Sequence, residues 1–164
     1  MRAYVSVFHP IPPVFDQHSR VLILGSFPSV RSREEGFFYG HPQNRFWRTL
    51  ANVFEDTTPV TVAQKRAFLL RHGIALWDVI ASCEIVGSSD ASIRNAAPNE
   101  IETILASAPI AHIYTNGGTA HRLYRRYLEP RTGREATCLP STSPANAAWT
   151  QDRLNAAWRV IIGD

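Results

Sequence analysis

Aromatic rings and a side-chain amide crowd one short stretch of this chain. The apolar run Val21-Leu22-Ile23-Leu24 breaks at Gly25-Ser26-Phe27-Pro28-Ser29, and Phe37-Phe38-Tyr39 and His41-Pro42-Gln43-Asn44 follow. Ring faces stack on a flat heterocycle, and an amide offers both a donor and an acceptor. Such a set suits a base held by its face and hydrogen-bonded along its edge. Phe37 and Tyr39 are the stacking candidates, and Phe38 is read as core. Gly25, Ser26 and Phe27 would lay backbone N–H groups along the base, with the Phe27 ring as a wall. Asp78, at the end of IALWDVI, could accept from a ring N–H, or serve as a cap or as the ion-pair partner of an arginine. Asn116-Gly117-Gly118-Thr119 has the form of an anion-binding helix entry, with N–H groups for a phosphate.

These residues sit where an α/β fold gathers them. Apolar-rich runs predict strands at 21–24, 74–80, 111–115 and 136–139, the first stopped at Gly25, the third at Asn116-Gly117-Gly118 and the fourth at Pro140. Helical spacing and capping signals predict helices at 44–54, 61–72, 98–106, 119–128 and 151–162. The alternation implies a mostly parallel sheet with helices on both faces. All four strands end in polar, small-residue loops: GSFPS, DVIAS, TNGG and LPSTSPANA. In a parallel sheet those ends share one edge, where ligands bind. One cleft built from four loops is the expectation.

Composition narrows the classes. The 164 residues carry a net charge of +3, and Lys65 is the only lysine among 17 Lys and Arg. Lys65 falls in a polar helix away from any strand end, which leaves no amine nucleophile at the cleft. The six histidines have no metal-ligand spacing, and Cys83 and Cys138 are too few for a four-thiolate site. Neither a cofactor nor a metal is expected. No apolar run approaches the ~18 residues of a membrane helix. A single cytoplasmic domain spanning 1–164, monomeric and acting away from membranes, is the expectation.

GSFPS, GFFYGHPQNRFW, LWDVI with GSSDASIRN, and LPSTSPANA together resemble the uracil-DNA glycosylase superfamily over residues 21–149. The hypoxanthine-DNA (deoxyinosine) glycosylase branch is the nearest in pattern. The resemblance implies a three-layer α/β/α sandwich and excision of deaminated bases from DNA. It implies that Asn44 is the catalytic amide. Phe27 stands where relatives in the mismatch-specific branch carry a catalytic Asn. Asn44 also directly precedes RFWRTL, the place of a helix N-cap. The resemblance puts Tyr39 at the position of a stacking aromatic. It implies that Ser141, Thr142 and Ser143 contact DNA phosphates and that Pro144, Ala145 and Asn146 fill the gap left by the extruded nucleotide. Pro144 and Ala145 are small for that task. Two further readings stand beside the deoxyinosine enzyme: a uracil, xanthine or mismatch-type glycosylase of the same superfamily, and a non-catalytic nucleic-acid-binding domain on this fold.

Overall fold

The computed structural model describes residues 3–163. Four strands form a parallel sheet: β2 (Val21–Gly25), β3 (Ile74–Asp78), β6 (His112–Asn116) and β7 (Thr137–Leu139), in the order β3-β2-β6-β7. Every residue of β2 is buried, as expected of a central parallel strand covered on both faces. Its side chains alternate. Val21 and Ile23 join one core with Phe46, Trp47, Leu50, Phe68, Leu154 and Trp158. Leu22 and Leu24 join the other with Ile104, Ile113, Leu123 and Tyr124. The first core is roofed by α2 (Phe46–Val53), α3 (Val62–Arg71) and α7 (Gln151–Trp158), and the second by α4 (Glu102–Ser107) and α5 (Gly118–Tyr127). The result is the expected three-layer α/β/α arrangement. Each fully buried Leu or Ile of β2 contributes about 1.5–3 kcal/mol by leaving water, so truncating Leu22 to Ala loosens both β2 and the helices packed on it.

A second sheet was not legible in the sequence. β1 (Val5–Phe8), β4 (Ile80–Ile85) and β5 (Arg94–Pro98) pair antiparallel in the order β1-β4-β5. The strand expected at 74–80 breaks at Val79. There Val79 N–H donates to the Gly25 carbonyl at 2.8 Å, and Ile80 N–H donates to that of Ser26 at 3.1 Å. The buried Asn99 side chain clamps the break, donating to the carbonyls of Asp78 at 2.9 Å and Ile80 at 3.1 Å. Pro98 ends β5 instead of opening a helix, and α4 begins only at Glu102. A short helix, α1 (Val30–Glu35), lies where no helix is expected. Ser29 caps its start and Gly36, at φ 74°, ends it. One more helix, α6 (Glu129–Thr132), follows α5, and the last expected helix turns into a 3-10 segment, Arg159–Gly163. The register Gly25↔Asp78, Leu24↔Thr115 and Asn116↔Leu139 brings the four strand ends level at one edge.

Candidate active site

That edge opens into a cavity of about 1050 Å³. Residues from every strand end line it: Gly25 to Ser29 after β2, Asp78 of β3, Asn116 of β6 with Gly118 and Thr119, and Cys138 to Asn146 from β7 onward. Phe38, Tyr39, His41 and Asn44 complete one wall, and Ser88 to Ala91 another. Three of the four expected loops therefore build a single cleft with Asp78; DVIAS is no loop, since Ile80 to Ser82 run on as β4.

Asn44 stands just before α2 at the cavity wall. Its Oδ1 accepts from Phe46 N–H at 3.0 Å and from the Thr142 hydroxyl at 2.9 Å. The backbone donor fixes which amide atom is oxygen, since a flipped amide would set two donors face to face. With both lone pairs of Oδ1 engaged, the Nδ2 hydrogens are what Asn44 has to offer a ligand. The capping role weighed for Asn44 is thus met in part, by an Asx-type contact one residue ahead of the cap, Arg45. Thr142 is relayed in turn: Asn116 Nδ2 donates to Thr142 Oγ1 at 3.0 Å, and Thr142 N–H donates to Asn116 Oδ1 at 3.0 Å. Thr142 is 0% exposed. Its side chain therefore does not reach out to a phosphate; it ties the end of β6 to the catalytic candidate. Asn116 keeps its place at the cavity but spends its amide on the same relay.

Arg45 anchors the loop that carries these residues. Its N–H donates to the Thr142 carbonyl at 3.0 Å. Its guanidinium donates to the Asn146 carbonyl at 3.1 Å and to that of Trp149. Within the loop, Ser143 N–H donates to Ser141 Oγ at 3.1 Å, and Ala145 N–H donates to Ser143 Oγ at 3.2 Å. A hydroxyl that accepts from backbone keeps its own proton for an outside acceptor. Ser141 and Ser143 are thus arranged as donors at the cavity mouth. Asn146 Nδ2 braces the loop on the Ser141 carbonyl at 2.9 Å, and Pro144 and Ala145 form its exposed tip.

The floor lies over Gly25. A Cβ on Gly25 would stand 2.3 Å from Asp78 Oδ1 and 2.8 Å from the Tyr39 hydroxyl. Asp78 Oδ2 accepts from His9 Nε2 at 2.8 Å, and the two side chains are 5% and 2% exposed. The partner of Asp78 is therefore a histidine and not an arginine. Tyr39 stacks on Phe46, with ring centroids 4.0 Å apart, and its φ is 53°. Burial first, and the Asp78 charge second, push the Tyr39 phenol far above its ordinary range; the nearby Asn116 side chain opposes them. The Asn116 amide approaches the hydroxyl without the geometry of a hydrogen bond, and Tyr39 Oη is unpaired.

Two expected contacts do not form. Phe37 lies outside the cavity, stacked on Trp47 at 6.1 Å in the core, while Phe38 is buried in the core as expected and also reaches the wall. Gly117 likewise turns away. Its φ is 96°, and a Cβ there would meet Ser141 Cβ at 3.0 Å, so it spaces the β6 turn against the serine loop. Gly25, Ser26 and Phe27 do line the cavity.

Sequence reasoning missed His9 and Asp90. Asp90, on the Ser88 to Ala91 wall, has its carboxyl raised above the ordinary range, chiefly by desolvation; the Ser26 hydroxyl opposes this and the Asp78 charge adds to it. GSSDASIRN is one of the stretches that carry the family resemblance, but it gave Asp90 no role. His9 left no signal, because it arrives from an unrecognised edge strand. Lys65 lies elsewhere, its Nζ 5.3 Å from the Trp47 ring centroid. Among the described residues no three His, Cys, Asp or Glu gather to hold a metal ion, and no helix is long and apolar enough to cross a membrane.

Known proteins share this plan. The family profile of the uracil DNA glycosylase superfamily matches residues 12–162. The hypoxanthine DNA glycosylase of Methanosarcina barkeri is 33% identical over 136 residues, covering 82% of this chain and 85% of that protein. The protein of the same name from Methanosarcina acetivorans is 30% identical over 152 residues, covering 92% and 95%. A solution NMR structure from Methanosarcina acetivorans, described provisionally as a uracil DNA glycosylase, superposes with a TM-score of 0.76 at 30% identity, covering 92% of this chain and 96% of that one. A matching profile over nearly the whole chain, on a sheet whose four ends build one cleft, carries the conclusion: the chain belongs to the uracil DNA glycosylase superfamily and is a DNA glycosylase.

Proposed function

We propose that this glycosylase is monofunctional and excises hypoxanthine from deoxyinosine in DNA. The observation that carries the reading is the fixed amide of Asn44 on the wall of a cavity with a polar floor and aromatic sides. Hydrolysis breaks the C1′–N9 bond. The electron pair leaves with the base, water adds to C1′ and gives up a proton to solvent, and the departing base takes one up, so that neutral hypoxanthine and an abasic sugar result. An amide is a weak base, so the rate depends on positioning and on charge at the sugar and the base. Asn44 positions the attacking water through its amide, whose orientation Phe46 and Thr142 hold. Phe27 and Phe38 wall the base, Ser141 and Ser143 donate to the flanking phosphates, and Pro144 and Ala145 enter the gap. The choice of hypoxanthine is supported by the two relatives named for that activity. The proposal keeps the chain a cytoplasmic monomer acting on damaged DNA.

A small wedge is a poor lever. Extruding a base costs a few kcal/mol, least where the pair is weak. Excision is therefore expected to quicken as the base opposite inosine pairs less well. The test offers duplexes carrying hypoxanthine, uracil, xanthine or mispaired thymine, followed by alkaline cleavage at abasic sites. Hypoxanthine is expected to leave well ahead of uracil. Efficient uracil release with none of hypoxanthine would overturn the substrate assignment. Asn44→Ala is expected to slow single-turnover cleavage by orders of magnitude while binding changes far less. Joint collapse of binding and melting temperature would reduce Asn44 to a structural residue.

A further inference from the structure

Two polar atoms at the floor of the cavity have nothing to bind, and they are of opposite kinds. The Tyr39 hydroxyl is buried without a hydrogen-bond partner. Asp78 has Oδ2 taken by His9, while Oδ1 accepts from no described residue. Both flank Gly25, the one position whose lack of a Cβ leaves room beside them. On the reading of this cavity as the seat of an extruded base, we propose that Tyr39 Oη–H and Asp78 Oδ1 together read the lactam edge of that base, with His9 as the residue that positions Asp78.

The chemistry of deamination defines that edge. Deamination replaces an exocyclic amine with a carbonyl and puts a proton on the adjacent ring nitrogen. Hypoxanthine then shows O6 as acceptor beside N1–H as donor. Uracil shows O4 beside N3–H. Adenine and cytosine show the reverse, an amine donor beside a nitrogen lone pair. A hydroxyl can turn to accept, but a carboxylate has no proton to give. Opposite adenine N1, the Asp78 oxygen would meet a lone pair. Discrimination then rests on a repulsive contact as much as on an attractive one.

The surroundings hold this pair in place. Ile11 N–H donates to His9 Nδ1 at 3.2 Å, which puts the ring proton on Nε2, facing Asp78. The rings of Phe27, Phe38 and Trp77 enclose the imidazole at centroid distances of 5.9, 6.1 and 6.3 Å. Asn99 holds the Asp78 carbonyl at 2.9 Å. The carboxylate therefore presents one chosen oxygen. Tyr39 keeps one ring face against Phe46 and adopts a positive φ, a conformation unusual for an aromatic residue and concentrated at functional sites. Burial and the neighbouring charge keep its phenol protonated, the form that donates.

Single-turnover excision of hypoxanthine is compared with that of its 1-deaza analogue, in which a C–H replaces N1–H without added bulk. The wild type is expected to favour hypoxanthine by about 10- to 100-fold, the worth of a hydrogen bond to a charged group. Asp78→Asn, with His9 still holding the side-chain oxygen, turns an amide N–H donor toward the base and is expected to collapse that ratio. His9→Phe should lower the ratio too, and His9→Gln, which keeps a donor, should restore it. Tyr39→Phe removes an unpaired buried hydroxyl, so it should melt at or above the wild type while slowing hypoxanthine release about 10-fold. An unchanged ratio in Asp78→Asn, or a wild-type rate in Tyr39→Phe, overturns the proposal. Wild-type protein that removes hypoxanthine and the 1-deaza analogue equally refutes the edge reading alone. Wild-type protein that removes no base refutes the base-excision reading beneath it.

Discussion

Replacing Thr142 by valine removes one hydroxyl and almost no volume. That hydroxyl donates to Asn44 Oδ1 and accepts from Asn116 Nδ2, and no part of Thr142 is exposed. The variant leaves Asn116 a donor without an acceptor and Asn44 with one donor where it had two. A buried polar group left unpaired costs about 1–3 kcal/mol. Asn44 borders the cavity, where water can replace part of the loss, so about 2–3 kcal/mol in all is expected. For a chain of this size that is a fall in melting temperature of about 4–12 °C. With the Phe46 N–H as its sole restraint, the Asn44 amide can rotate, and single-turnover excision should slow about 10- to 100-fold. DNA affinity and its salt dependence should hold, because the buried hydroxyl meets no phosphate. Thr142→Ser keeps the hydroxyl and should recover most of the rate. Melting curves, single-turnover cleavage and titration with labelled duplex at several salt concentrations read all three quantities. A wild-type rate in Thr142→Val would refute the relay. Lost affinity with a shallower salt slope would return Thr142 to the phosphate contacts that its sequence context suggested.

Gly25→Ala sets a Cβ 2.3 Å from Asp78 Oδ1; excision should fall by orders of magnitude while the protein stays folded, and a wild-type rate would show that the base does not approach this floor. Borohydride added during turnover should trap no protein–DNA adduct, since Lys65 lies over Trp47 and away from the cavity; denaturing gels would reveal one. The Asp56 carboxyl is held well below its usual range, first by Arg71 and then by His72. A depressed carboxyl contributes stability above its unfolded value and loses it as pH falls through the folded one. Asp56→Asn should therefore melt below the wild type at neutral pH, and the two melting curves should converge in acid; a constant gap would assign the effect to something other than this ionisation.

The parallel sheet was legible because its physics is local. Val21 to Leu24 is an unbroken apolar run stopped by Gly25, and shorter or interrupted apolar runs marked the other three strands. Aligning those ends then followed from parallel pairing, and it placed Gly25, Asp78, Asn116 and Ser141 together. The small antiparallel sheet was hidden because Arg94–Pro98 carries no strand pattern and is held by its neighbour, with irregular pairing on β4. His9 reaches Asp78 across 69 residues of chain, a distance over which no spacing rule operates. Phe37 turned into the core beside Phe38, and Phe38 also reached the cavity, because the chain there is neither helix nor strand and the positive φ of Tyr39 breaks any alternation. Ser141, Thr142 and Ser143 are alike in chemistry. Which of them turns inward is decided by Asn116, a partner that neighbouring residues do not announce.

The Arg45 anchor bears on how this enzyme can change over generations. Its three contacts on the serine loop are all to main-chain carbonyls, those of Thr142, Asn146 and Trp149. None depends on the side chains of Pro144 or Ala145, which stand at the exposed tip. Substitutions there leave the clamp, and the amide next to it, undisturbed. The tip is thus free to drift, and larger or more basic residues can be tried in it one at a time while excision chemistry is kept. An Arg45 substitution, by contrast, would give up the guanidinium contacts to Asn146 and Trp149 and keep only the main-chain bond to Thr142, so innovation at the tip depends on constancy at a residue that touches no part of it.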